Sequence, residues 1–266
     1  MKRAADIVYD EAGPITGRAE PILCLHGIGG DTGSFGPQLT GLSDTYRVLS
    51  WAMPGYGGSA PLAETTFETL SAAAIRLMDA LEIGKAHLAG QSIGGMIAQD
   101  MALRYPDRVA SLILIGTTPS FGGRDDTFKT EFLDARLKPL DAGLTMPELA
   151  ERFVPEIVGP IADAAAIASA TRSMAAVPVE TYRTIMRCLV TFNRRDDLGD
   201  IARPCCLIAG SHDKNAPPRT MEKMAARLPD AVYHLIDGAG HLINLEAPDA
   251  CNALIRDFLT SIEERP

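Results

Sequence analysis

The chain has 266 residues, 25 Lys and Arg against 34 Asp and Glu, a formal net charge of −9 and 46% apolar residues. That composition excludes a disordered chain, and acidity without a basic run speaks against nucleic acid or an anionic membrane as partner. No apolar stretch nears the roughly 20 residues of a transmembrane helix, and Met1 to Tyr9 lacks a signal peptide's apolar core and cleavage site, so the expectation is a cytoplasmic protein.

Along the chain, short apolar runs alternate with helical patterns. Ile22–Leu25 and Val48–Trp51 read as strands, followed by a helix from Thr65 to Leu81 with Phe67, Leu70, Ala74, Leu77, Met78 and Leu81 on one face. Thr65 and Glu68 have capping-box spacing. The strand Ala86–Ala89 leads to a helix over Ile93 to Arg104, stopped before Pro106, and then to the strand Val109–Ile115. Further on come the strand Cys205–Ala209, a helix from Pro217 to Arg227, the strand Val232–Ile236 and a helix from Pro248 to Ser261. The strands are continuously apolar, as strands buried on both faces of a parallel sheet are. The alternation predicts an α/β fold, a mostly parallel central sheet flanked by helices.

It breaks between Pro119 and Arg194, which reads as helices only, interrupted at Pro139, Pro147, Pro155, Pro160 and Pro178. The expected organisation is therefore a core of 1–118 and 195–266 with an inserted helical lid at 119–194. Five cysteines, with no C-x-x-C and no H-x-x-x-H, read as reduced core thiols and give no ground for a metal site.

Gly90-Gln91-Ser92-Ile93-Gly94 lies between a predicted strand and a predicted helix. In that context G-x-S-x-G is a nucleophile elbow, which lifts the hydroxyl of Ser92 to the carboxyl edge of the sheet. A serine hydroxyl needs a base, and His241 follows the last strand on a Gly-rich turn at the same edge. The base needs a carboxylate; Asp213, after the strand Cys205–Ala209, fits better than Asp237, only four residues before His241. The order Ser92, Asp213, His241 is the nucleophile–acid–base order of an α/β-hydrolase. His26-Gly27-Ile28-Gly29-Gly30 allows the N–H of Ile28 to join that of Ile93 as an oxyanion hole, with His26 shaping the loop. Gly55 to Ala60 matches G-x-G-x-x-A, but Pro61 follows and no helix opens there, so a dinucleotide site is not expected.

The segments HGIGG, MPGYGGS, GQSIGGMIAQ, GSHDKNAPP and GAGHLINLEAP resemble the α/β-hydrolase superfamily in its lid-bearing form, over about residues 20 to 260. GQSIGGMIAQDMALRYPDRVASLILIGTTP is similar to 3-oxoadipate enol-lactonases and to C–C hydrolases of ring-cleavage products. Ser92, Asp213 and His241 match the triad of these families, and Ile28 and Ile93 their oxyanion positions. Ala52, Pro54 and Gly29-Gly30 depart from markers common in one subfamily or the other. The resemblance implies hydrolysis of a small carboxylic ester or lactone without a cofactor. C–C hydrolysis of a diketone, or a non-catalytic ligand-binding protein on the same fold, stand as alternatives. The expected partner is a small-molecule substrate, and a homo-oligomer is compatible with the sequence. Among the lid arginines Arg124, Arg136, Arg152, Arg172, Arg183, Arg187 and Arg194, the pair Arg183 and Arg187 is four apart beside Ile185, Met186 and Leu189. That pair is the expected partner for a substrate carboxylate.

Overall fold

The computed structural model describes residues 1–15, 19–122 and 127–265, so Arg124 lies outside the described residues. Eight strands form one sheet: β1 (Lys2–Ala4), β2 (Ile7–Ala12), β3 (Ile22–Leu25), β4 (Val48–Trp51), β5 (Ala86–Gln91), β6 (Val109–Ile115), β7 (Cys205–Gly210) and β8 (Ala231–Ile236). Their order is β1-β2-β4-β3-β5-β6-β7-β8. The β1–β2 and β2–β4 pairs are antiparallel and the rest parallel. The apolar runs of the sequence become β3 to β8. The β1–β2 hairpin is an addition to the sequence reading: its two-residue turn, Ala5-Asp6, takes φ of 47° and 63° without a glycine to announce it.

Alternation along each central strand divides the core in two. Leu23 and Leu25, Leu112 and Leu114, and Leu207 face one side. Ile22 and Cys24, Ile113 and Ile115, and Cys206 and Ile208 face the other. The first side is covered by α2 (Phe67–Ala80), α3 (Ile93–Arg104) and α8 (Pro218–Ala225). The second is covered by α1 (Gly36–Leu42) and α10 (Pro248–Glu263), with the short α9 (Ile243–Glu246) leading into α10. Two-sided burial holds through β7 but not in the edge strand β8, where Val232 and Leu235 are exposed. All five cysteines are buried and unpaired, and burial pushes the Cys188, Cys205 and Cys206 thiols up to about 12.

The N-terminus of α2 lies one residue later than the capping-box spacing suggests. Thr66 accepts from the N–H of Thr69, and Thr69 Oγ1 accepts from the N–H of Thr66, at 3.1 and 2.9 Å. Glu68 instead reaches Arg104 on α3 at 3.2 Å.

Between β6 and β7 the described residues form four helices: α4 (Thr127–Asp141), α5 (Met146–Ile157), α6 (Ala164–Ala175) and α7 (Val179–Leu189). Pro147 opens α5 and Pro178 caps α7, but Pro139 and Pro155 do not break their helices. Each lies two residues before its helix's last residue, where a missing N–H disturbs only the last turn. The insertion returns to the core through Arg194, whose guanidinium meets fully buried Asp100 on α3 at 2.5 and 3.1 Å. Arg104 Nε at 2.8 Å and Ser71 Oγ at 2.8 Å complete the partners of that carboxylate. Among the described residues, no helix is long and apolar enough to cross a membrane.

Candidate active site

The turn from β5 into α3 holds Ser92 at φ 55° and ψ −121°, a left-handed conformation that costs a non-glycine residue on the order of 1–3 kcal/mol. The surroundings enforce it. A Cβ on Gly94 would come within 1.9 Å of the Leu25 carbonyl oxygen, and one on Gly90 within 2.4 Å of that of Gly94. Only glycine lets strand, turn and helix approach so closely. Ser92 N–H donates to the Ile115 oxygen at 3.0 Å, and Thr117 Oγ donates to the Ser92 oxygen at 2.7 Å, fixing the turn from both sides.

Two further loops meet Ser92 at the carboxyl edge of the sheet. His241 Nε2 lies 3.0 Å from Ser92 Oγ, and His241 Nδ1 lies 2.8 Å from Asp213 Oδ2. Asp213 is 3% exposed, and its other oxygen accepts from the N–H groups of Asn215 and Ala216 at 2.8 and 2.9 Å. Asp237 points elsewhere, accepting from Ser211 Oγ at 2.9 Å. The structure thus brings Ser92, His241 and Asp213 into one hydrogen-bonded series. A carboxylate can only accept, so the Asp213 contact places the ring proton on Nδ1 and turns Nε2 toward Ser92 Oγ.

Ile28 follows Gly27, whose Cα borders Ser92: a Cβ there would lie 3.4 Å from Ser92 Cβ. The backbone N–H groups of Ile28 and Ile93 have no acceptor among the described residues. Ile93 opens α3, where N–H groups carry the helix's partial positive charge. Unpaired donors beside a nucleophile are what a developing oxyanion needs.

His26 is fully buried with a determined tautomer. Met53 N–H, which can only donate, lies 3.0 Å from Nε2, so Nδ1 carries the proton and donates to the Gly27 oxygen at 2.7 Å. Burial lowers its pKa to about 4, as it does that of His87 beside Ser111. Both rings therefore bind protons more readily unfolded, near the ordinary 6.5, than folded. Their stabilisation is complete above about pH 6.5 and is lost as the pH falls toward 4. At pH 5 each is expected to have lost on the order of 2 kcal/mol. Urea unfolding at pH 7 and pH 5 checks this; equal stability at both would refute it.

Glu246 was not singled out by the sequence, although it lies in the segment quoted around His241. It is 7% exposed and accepts from the N–H groups of Gly240 at 2.8 Å, Leu242 at 2.8 Å and Gly159 at 2.7 Å. It therefore grips both neighbours of His241 and the end of the α5 segment. A second tie joins the same parts, His241 N–H to the Ile157 oxygen at 2.7 Å. Its only legible signal is a carboxylate in an apolar stretch with no cation nearby. Glu246→Gln turns one acceptor into a donor facing an N–H. An unmet buried group costs about 1–3 kcal/mol, so urea unfolding should show a loss of that size together with a lower kcat. An unchanged midpoint and kcat would remove Glu246 as a positioning residue.

A cavity of 1040 Å³ opens above Ser92 and His241, walled by Ile28, Met96, Phe132, Phe153, Met174, Tyr182, Met186 and Leu189 among others. Arg183 and Arg187 do not line it, which corrects the expectation from their spacing. The cavity face of α7 is the stripe Tyr182, Met186 and Leu189; Arg183 and Arg187 follow one residue behind it, about 100° around the helix. Arg183 pairs with Asp141 at 2.5 Å and Glu180 at 3.6 Å, and Arg187 is exposed. Among the described arginines of residues 119–194, the one that lines the cavity is Arg136, on α4. The Gly55 turn carries no helix; the next begins at Phe67, and Thr181 Oγ donates to the Gly55 oxygen at 3.2 Å. Among the described residues no group of three His, Cys, Asp or Glu could hold a metal ion.

An eight-stranded sheet with a serine on a strained strand-to-helix turn defines a class of protein. Residues 20–248 match the family described as the alpha/beta hydrolase fold, and the chain belongs to that family. It is an enzyme of the hydrolase class. It is 28% identical over 267 residues to a protein of Azorhizobium caulinodans provisionally named carbamate hydrolase RutD, with 98% of this chain and 97% of that one covered. It is 27% identical over 248 residues to 3-oxoadipate enol-lactonase 1 of Acinetobacter baylyi, with 92% and 90% covered. The solved structure of the enol-lactonase from Burkholderia xenovorans LB400 superposes with a TM-score of 0.85 at 27% identity over 96% of each chain.

Proposed function

We propose that the protein hydrolyses a small carboxylic ester or lactone through Ser92, His241 and Asp213. The observation that carries this reading is the series Ser92 Oγ–His241 Nε2 at 3.0 Å and His241 Nδ1–Asp213 Oδ2 at 2.8 Å. It is supported by the similarity to proteins named enol-lactonases.

In the reaction His241 Nε2 takes the proton of Ser92 as Oγ attacks the ester carbonyl. The carbonyl oxygen gains negative charge, which the N–H groups of Ile28 and Ile93 stabilise. Collapse of the tetrahedral intermediate expels the alcohol, which takes its proton from His241. A water, deprotonated by the same imidazole, then attacks the acyl-enzyme, and the acid leaves as the proton returns to Ser92. Asp213 holds the imidazolium throughout. For a lactone the alcohol and acid are two ends of one product. Helices α4 to α7 act as the lid that closes the cavity over Ser92 and excludes bulk water. The reading assigns no step to a cofactor.

Release of p-nitrophenol from p-nitrophenyl acetate, run beside the Ser92→Ala variant, separates this reading from a ligand-binding protein on the same fold. Turnover abolished by the substitution supports it. A wild-type protein that turns over neither this ester nor any of a panel of esters and lactones would overturn it.

A further inference from the structure

The nucleophile and the base belong to different parts of the fold. Ser92 sits on the turn from β5 into α3, and His241 on the loop after β8. Most ties on His241 hold it from the far side. Asp213, after β7, takes the ring; the Ile157 oxygen takes the main-chain N–H; and Glu246 takes the N–H groups of Gly240 and Leu242. None of these groups belongs to β5 or α3, so none of them fixes Nε2 at 3.0 Å from Ser92 Oγ.

One side chain closes the gap. Gln91 is the last residue of β5, next in sequence to Ser92, and is buried at the floor of the cavity. Its Nε2 donates to the His241 main-chain oxygen at 2.9 Å. A carbonyl oxygen can only accept, so the NH₂ end of the amide is the end that faces it. The Ser92–His241 contact aside, this is the one hydrogen bond among the described residues that joins residues 86–104 to residues 237–246. The surroundings are shaped to the amide. Its other end, Oε1, lies against Gly27, where a Cβ would come within 2.2 Å of it. Gly27 does not take a positive φ, so what this glycine supplies is room rather than a backbone angle. Gly116 lies against the same His241 oxygen, which a Cβ there would approach to 3.1 Å. The Gln91 amide thus spans from the loop of Ile28 to the loop of His241, beside the nucleophile.

We infer that Gln91 is a positioning residue, which locks the imidazole's loop to the nucleophile's own turn and so sets the separation across which the serine proton passes. The inference rests on the hydrolytic reading for the reaction served, but not for the geometry. Without the amide, Ser92 and His241 are held by separate parts of the fold, and a displacement of about 1 Å in such a pair costs on the order of 10²-fold in rate. The link acts on proton transfer rather than on substrate binding, so its loss falls on kcat and leaves KM nearly unchanged.

The test uses the full chain and p-nitrophenyl acetate. Gln91→Met keeps the length of the side chain and removes the donor; kcat should fall roughly tenfold or more while KM stays within about twofold. Gln91→His, whose ring carries an N–H at about the same reach, should recover part of that loss. Gly27→Ala should lower kcat roughly tenfold in the wild type, where the new methyl pushes the amide off the His241 oxygen. In Gln91→Ala, which has no amide to push, the same change should cost less than about twofold. Diethyl p-nitrophenyl phosphate reads the pair apart from turnover: Ser92 Oγ bonds to phosphorus, p-nitrophenolate leaves, and His241 takes the serine proton. That labelling should slow in Gln91→Met by the same factor as kcat. Circular dichroism and thermal melting check that each variant is folded, and Gln91→Leu stands in if the methionine variant is not. A folded Gln91→Met with wild-type kcat, a loss confined to KM, or a Gly27→Ala cost equal in both backgrounds overturns the inference. If the wild type takes the label on Ser92 but turns over no ester, the hydrolytic reading alone fails, and the labelling rates still judge Gln91.

Discussion

Ser92→Ala is expected to lower kcat for p-nitrophenyl ester hydrolysis by about 10³-fold or more while the protein stays folded. Loss of the nucleophile of such a triad typically costs at least that much, because the remaining groups have no attacking atom to activate. The fold should survive because nothing that shapes the turn belongs to the hydroxyl. Ser92 N–H still reaches the Ile115 oxygen, Thr117 still holds the Ser92 oxygen, and alanine has the same Cβ at φ 55°. Circular dichroism and the thermal midpoint should match the wild type. Hydrolysis near the wild-type rate by a folded variant would end the mechanism.

Asp213→Asn should be comparably damaging, with kcat down by roughly 10⁴-fold, for a reason of proton placement rather than lost charge alone. One carboxylate oxygen is pinned by the N–H groups of Asn215 and Ala216, both of which can only donate. An asparagine must turn its carbonyl oxygen toward them, which aims its NH₂ at His241 Nδ1. That nitrogen must then accept, so the ring proton moves to Nε2, the atom that should take the proton of Ser92. Nuclear magnetic resonance of the histidine ring should report the exchanged tautomer beside the loss of rate. A variant that keeps its rate, or keeps the proton on Nδ1, would remove Asp213 from the series.

The central strands were legible because each carries its own signal. Val48–Trp51 and Val109–Ile115 are apolar but for one serine each and end where the strands end. Ser92 was legible for a related reason, since its glycines are forced by local packing and leave a local mark. The first hairpin was not, because its strands run through Lys2, Arg3, Asp10 and Glu11 and its turn uses Ala5-Asp6 where Asn-Gly would announce a type I′ turn. The cavity arginine was misplaced because helical spacing tells which residues share a face, not which face meets a void. On α7 the apolar stripe that reads as core is also the cavity wall, so its arginines lie beside it. Arg136 had a weak sign of its own, an aromatic residue at i−4, but the second ring, Phe153, comes from another helix. Glu246 escaped notice because its partners are three backbone N–H groups, which no side-chain pattern records.

The joint between the end of α5 and the turn bearing His241 bears on how this scaffold could be diversified. Ile157 and Gly159 are bonded directly to the imidazole's own loop, through His241 N–H and through Glu246. The insertion is therefore not an independent module on a finished catalytic base. Exchanging residues 119–194 for those of a relative, while keeping 238–246, would pair a foreign roof with a native hinge and shift the imidazole relative to Ser92. Chimeras that move both stretches together should retain turnover where single exchanges lose it. New specificity on this scaffold is thus inherited in two coupled pieces of sequence about eighty residues apart, and alanine scanning of either alone would understate what the other contributes.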